Sequence, residues 1–112
     1  MSFPLHPSHL AIMYECLRKL PPFKEWKLPD ADEIEFRTPA IIDFGEFRAP
    51  NVITVSSARH ANFDTIMQTL AHEMLHLHQH LTGTENRYQH NAEFKRLAKR
   101  VTKNFGWDSK AF

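Results

Sequence analysis

The sequence predicts a single α+β domain spanning residues 1–112, and three observations carry that expectation. Apolar residues recur at helical spacing in three separate stretches. Short, proline-bounded segments rich in Ile, Phe and Val lie between the first and second of these. The length of 112 residues suits one hydrophobic core, while 14 Lys+Arg against 13 Asp+Glu and 42% hydrophobic residues describe a chain that folds rather than one that stays disordered. The resulting order is helix, small sheet, helix, helix.

The first helix is expected from Ser8 to Leu20, with Ser8 as N-cap, Leu10, Met13, Leu17 and Leu20 as its apolar stripe, and Pro21-Pro22 as its stop. Phe23 to Asp32 is rich in proline and charge and reads as a loop anchored by Trp26 and Leu28. Glu33–Arg37, Ala40–Arg48 and Asn51–Ser57 read as about three strands, with Gly45 at a bulge or turn. The second helix is expected from Asn62 or Asp64 to Leu81, ended by Thr82-Gly83. Its residues Ile66, Leu70, Met74, Leu77 and Leu81 fall within roughly 80° of one another, which makes a core-facing stripe. The third helix should begin near His90 or Asn91 and finish at Asn104-Phe105-Gly106, burying Phe94, Leu97, Ala98, Val101 and Phe105.

Cys16 is the single cysteine, so the chain carries neither an intramolecular disulfide framework nor a Cys-x-x-Cys zinc ribbon, and a reducing cytoplasm is the expected compartment. The first residues lack the basic start and apolar run of a secretory signal, and no stretch approaches the roughly 18 apolar residues of a membrane span. A formal charge of +1 provides no global attraction to nucleic acid.

His72-Glu73-Met74-Leu75-His76 places a His-Glu-x-x-His sequence in the middle of the second helix. Histidines at i and i+4 lie about 40° and about 6 Å apart, so both rings can reach one Zn²⁺ at about 2.0–2.1 Å. Glu73, one step from the first histidine, sits beside the metal, where it can take a proton from a water that the metal acidifies. With eight His and eight Glu in the chain, composition alone would produce roughly 0.04 such pentamers. A catalytic zinc needs a third protein ligand. His80 lies about 12 Å along the axis from His72, too far to share an ion. Gln79 and Thr82 stand where a metzincin would have Gly and His. Glu85, His90 and Glu93, after the helix, remain.

The segment Leu70-Ala71-His72-Glu73-Met74-Leu75-His76, followed fourteen residues later by His90-Asn91-Ala92-Glu93-Phe94-Lys95-Arg96-Leu97, resembles the SprT-like metallopeptidases. There a His-Glu-x-x-His helix precedes a third zinc histidine in a His-Gly-x-x-Phe segment, whose positions His90 and Phe94 match. The specific likeness covers residues 70–97. It implies a zincin-like fold and a zinc endopeptidase in which His72, His76 and His90 hold one Zn²⁺ and Glu73 is the general base. Two departures stand out. Asn91 replaces the usual glycine, a change softened by its tolerance of left-handed backbone, and the C-terminal zinc ribbon of many members is absent.

Several further residues are candidates for the same chemistry. His60, Arg87 and Tyr88 could stabilise an oxyanion, and Glu93 could either bond a ligand histidine or favour the start of the third helix. Asn51–Ser57 could pair with a substrate backbone if it is an edge strand, and could equally be internal. Lys95, Lys99 and Lys103 share one face of the third helix, flanked by Arg96 and Arg100. Residues 91–112 hold six Lys/Arg against two Asp/Glu, so nucleic-acid contact competes there with a plain solvated face. His6, His9, His78 and His80 read as surface residues. The resemblance to the SprT-like family implies a protein substrate on or near DNA. The competing readings are a zinc-stabilised module that binds nucleic acid or protein through its basic helix, and a metal-assisted hydrolase of small molecules. Glu73 favours catalysis, since a structural zinc needs no base and normally takes four protein ligands.

Overall fold

The computed structural model describes residues 4–59, 62–110 and 112, and its elements follow the order helix, sheet, helix, helix. Helix α1 (Pro7–Arg18) begins one residue before the expected cap, so Ser8 lies inside the first turn and His6 is the N-cap. Pro7 occupies the first helical position, where no backbone N–H is needed, and the His6 N–H donates to His9 Nδ1 at 3.1 Å. Leu10, Met13, Tyr14 and Leu17 are buried, but the helix ends at Arg18 and Leu20 is 46% exposed rather than part of the stripe. Arg18 reaches Glu15 at 2.7 Å and Asp30 at 2.8 Å, and Glu15 accepts the Ala31 N–H at 2.9 Å. These contacts fasten the following segment, which is not featureless loop but carries two 3-10 turns, Phe23–Trp26 and Ala31–Glu33. Phe23 and Leu28 are buried there, with Trp26 packed against the core.

The three strands are shorter than their expected ranges: β1 (Glu35–Arg37), β2 (Gly45–Arg48) and β3 (Val52–Val55). Their order is β1-β3-β2, with β3 parallel to β1 and antiparallel to β2. β3 is therefore the central strand, which removes it as a substrate-pairing edge. Its near-continuous apolar character explains the placement: Ile53 and Val55 are fully buried and Thr54 is buried on the opposite face. Phe36, Ile53 and Phe47 form one cross-strand row on the core side. The segment before β2 is tied to the chain after β3. The Ser56 N–H donates to the Phe44 carbonyl at 2.8 Å, and its hydroxyl donates to the Ile41 carbonyl at 2.8 Å.

Helix α2 (Phe63–Thr82) starts where the Asn62 side chain accepts the Thr65 N–H at 3.0 Å and stops at Gly83, whose φ of 70° suits a residue without Cβ. Ile66, Leu70, Met74 and Leu77 are buried, each worth roughly 1.5–3 kcal/mol relative to exposure. Leu81 is the exception at 54% exposed, because the last turn projects past the elements that cover the rest of the stripe. Ala71 and Leu75 are fully buried too, so α2 is covered on more than one side. Helix α3 (Ala92–Phe105) is capped by Asn91, which accepts the Phe94 N–H at 2.9 Å, and ends at Gly106 with φ 72°. Phe94, Leu97, Ala98 and Val101 are buried along one seam, with Phe105 packed against the core. The chain is thus a compact α+β structure in which α2 lies between the sheet and α3. Among the described residues no helix is long and apolar enough to cross a membrane.

Candidate metal centre

His72 and His76 project from α2 on the side away from its apolar stripe, with ring centroids 5.0 Å apart. His90, just before the Asn91 cap, completes a triangle, its ring 5.0 Å from that of His72 and 5.3 Å from that of His76. The Nε2 atoms of His72 and His90 are 3.2 Å apart, and one ligand atom from each of the three residues lies within 4.8 Å of the others. Phe94 forms the floor, nearly buried, with its ring 4.5–5.0 Å from all three imidazoles. The cap at Asn91 and the first turn of α3 therefore set Phe94 and His90 together.

Burial first, and then the neighbouring histidines (His76 and His90 for His72, His90 for His76), push His72 down to about 3 and His76 down to about 4. Protonating either ring would bury a positive charge beside other histidines. Both therefore present neutral lone pairs at pH 7, the form that a metal ion requires. Three such donors close together could hold a metal ion.

Glu73 follows His72 by about 100° around the helix and turns its carboxyl toward β2. Burial pushes it up to about 8, and the negative charge of Glu46 adds to the effect. Gly45, the first residue of β2, lets the strand approach this carboxyl. A Cβ at Gly45 would stand 3.0 Å from Glu73 Oε2, 2.8 Å from the Thr54 carbonyl oxygen and 2.7 Å from Thr69 Cγ2. Its φ is not positive, so Gly45 serves close approach rather than a bulge or turn. Together these residues line a cleft of about 880 Å³. Its acidic residues are Asp43, Glu46, Glu73 and Glu85, and among the described residues no Lys or Arg lines it.

The other sequence candidates fall elsewhere. Arg87 and Tyr88 engage each other, Nη2 to the tyrosine hydroxyl at 2.8 Å with the guanidinium over the ring, and neither lines the cleft. Their loop neighbours Asn86 and Gln89 do, so proximity in sequence pointed to the wrong side chains of that loop. Glu93 bonds Arg96 at 2.6 Å in the first turn of α3 and reaches no ligand histidine. His60 lies outside the described residues. Lys95, Lys99 and Lys103 are exposed, whereas Arg96 is held by Glu93 and Arg100 by Glu25 at 2.9 Å. His80 pairs with Glu85 at 2.7 Å, and His78 is half-buried, stacked on Trp26 at 4.2 Å, rather than a surface residue. Asn91 has φ −70°, extended backbone that makes no use of left-handed freedom, so glycine is not needed there.

Gly45, Glu46 and Gln89 were not among the site residues read from the sequence. Only Gly45 carried a local signal, an isolated glycine in a strand pattern, which marks close backbone approach.

No curated protein and no solved structure matches the chain. The model of the SprT-like family matches residues 35–111, from β1 through both histidine-bearing segments, and the chain belongs to the SprT-like family.

Proposed function

We propose that this chain is a zinc-dependent endopeptidase with a zincin-like active site. The observation that carries the reading is the convergence of His72, His76 and His90 beside the buried Glu73 carboxyl in one open cleft. The three histidines would hold the ion from one side and leave its cleft side to water and substrate. Zn²⁺ bound there supplies a Lewis acid that polarises a peptide carbonyl, acidifies water and favours the ionised form of Glu73. Glu73 accepts the proton of the attacking water and delivers it to the departing amide nitrogen. Gly45 keeps the strand backbone against Glu73 and so limits the positions its carboxyl can take.

β2 is an edge strand of the sheet among the described residues and borders the cleft, so its outer edge could pair with an extended peptide, the role first considered for β3. The acidic walls favour a cationic segment of the substrate. Lys95, Lys99 and Lys103 form an exposed basic face on α3 suited to nucleic-acid phosphates, so the substrate we favour is a basic protein on or near DNA, in the cytoplasm or on the nucleoid.

The test compares wild type with Glu73→Gln on an unfolded basic protein, with and without single-stranded DNA at two salt concentrations. Glu73→Gln should keep its zinc and lose about 10²–10⁴-fold in cleavage. Equal cleavage by both proteins would overturn the mechanism. Zinc binding without any proteolysis would favour a binding module, and DNA stimulation that fades with salt would assign the lysine face.

A further inference from the structure

His90 is the one histidine of the triangle that no helix holds. It stands in the connection between α2 and α3, and its ring has to be placed within a fraction of an ångström for three donors to share an ion. Gln79, three residues beyond His76 on α2, is 1% exposed, and its side chain is directed at that connection. Its Nε2 donates to Asn91 Oδ1 at 3.1 Å and to the Thr84 carbonyl at 3.4 Å. Asn91 Nδ2 donates to the same carbonyl at 3.1 Å, while Asn91 Oδ1 also accepts the Phe94 N–H at 2.9 Å. The Thr84 N–H returns to the Gln79 carbonyl at 3.0 Å. One buried amide thus gathers both ends of the connection, and its inner end is the residue next to His90. A course of the loop that moved Thr84 and Asn91 away would take these partners from the buried Gln79 amide, which is costly.

We infer that Gln79 is a positioning residue of the metal centre, acting through Asn91 to place His90. The inference rests on the reading of His72, His76 and His90 as metal ligands. It concerns metal affinity rather than proteolysis, so a chain that binds zinc but cleaves nothing would refute the proposed activity and leave this inference intact.

The experiment measures zinc affinity of the full chain by chelator competition and the visible absorption of the Co²⁺ form, alongside melting of the metal-free protein. Gln79→Met, apolar and of similar volume, should weaken zinc binding about 10–100-fold and alter the Co²⁺ band, as expected for loss of a supporting contact. Asn91→Ala should do the same, and Asn91→Asp, which keeps the oxygen acceptor, should restore most of the affinity. The double variant Gln79→Met/Asn91→Ala should bind no more weakly than Asn91→Ala alone, because the two side chains act as one unit.

Lower melting temperatures with unchanged zinc affinity and Co²⁺ spectrum would show a purely structural role and overturn the inference. Additive losses in the double variant would also overturn it. Should Gln79→Met fail to fold, the Asn91 pair decides: wild-type affinity in Asn91→Ala, or equal loss in Asn91→Asp, sinks the proposal. A wild-type chain that binds no zinc overturns the metal reading itself, before any variant is compared.

Discussion

Helix α2 carries four histidines that divide into two pairs of different character. His72 and His76 converge with His90 over the Phe94 ring, and burial keeps both neutral. His78 and His80, one to two turns from His72, point to other surroundings: His78 stacks on Trp26, and His80 pairs with Glu85 at the cleft rim. The residue type and the helix are the same. The difference is that the first pair faces a third donor brought from another segment and shares a low-polarity wall with it. The second pair has separate neighbours, a stacked indole for His78, whose buried Nδ1 has no hydrogen-bond partner, and a carboxylate for His80. Histidine count and spacing therefore say little about metal chemistry until the opposing surface is known.

The contrast can be broken most sharply by removing one member of each pair. His76→Ala should lose more zinc affinity than the roughly 10–100-fold typical of losing a supporting contact, whereas His80→Ala should leave it unchanged, both read by chelator competition. Comparable losses would erase the distinction between the pairs.

A second comparison uses the glycines. Gly45→Ala places a methyl 3.0 Å from Glu73 Oε2 and 2.7 Å from Thr69 Cγ2, so the strand or the carboxyl must shift. Cleavage should fall about 10²-fold, the scale of a misplacement near 1 Å, with zinc affinity close to wild type. Gly83→Ala, at a helix end with φ 70°, should instead cost about 1–2 kcal/mol of stability and leave cleavage unaffected.

The remaining effect is in the pH profile of the metal-free protein. His72 and His76 titrate below their ordinary 6.5 in the folded state, so the unfolded chain binds more protons in that window. Their contribution is full above about pH 6.5 and is lost as pH falls toward about 4 for His76 and about 3 for His72. Glu73 is raised from 4.5 to about 8, so its contribution is full below about pH 4.5 and is lost as pH rises toward 8. Melting temperature from pH 4 to 8 should therefore peak near pH 6.5, and Glu73→Gln should flatten the alkaline decline. An unchanged alkaline decline in that variant would mean that Glu73 is not the group responsible.

Much of the helical framework was legible because its signals are local. Asn62, Asn91, Gly83 and Gly106 each act on a backbone group within a few residues, and the apolar periods of α2 and α3 need no knowledge of the rest of the chain. Ser8 and Leu20 misled for the same reason in reverse, since Pro7 in the first helical position and the early stop at Arg18 decided the bounds of α1. Strands of three or four residues are too short for their period to report order, so the central position of β3 could not be read from Val52–Val55 alone. Arg87 and Tyr88 were chosen by nearness along the chain, yet backbone direction within that loop turned Asn86 and Gln89 into the cleft.

The sequence by itself determined the pairing of His72 with His76 and the place of Glu73 beside them, because an α-helix converts a spacing of four into a shared face at known distance. It also supplied, through a family resemblance, the choice of His90 over Glu85 and Glu93. Tertiary structure alone decided that His90 reaches the pair, that Gly45 brings β2 against Glu73, and that Gln79 grips Asn91. Each of these joins residues separated by a loop or by a whole element, and such contacts depend on how elements pack rather than on any periodicity along the chain.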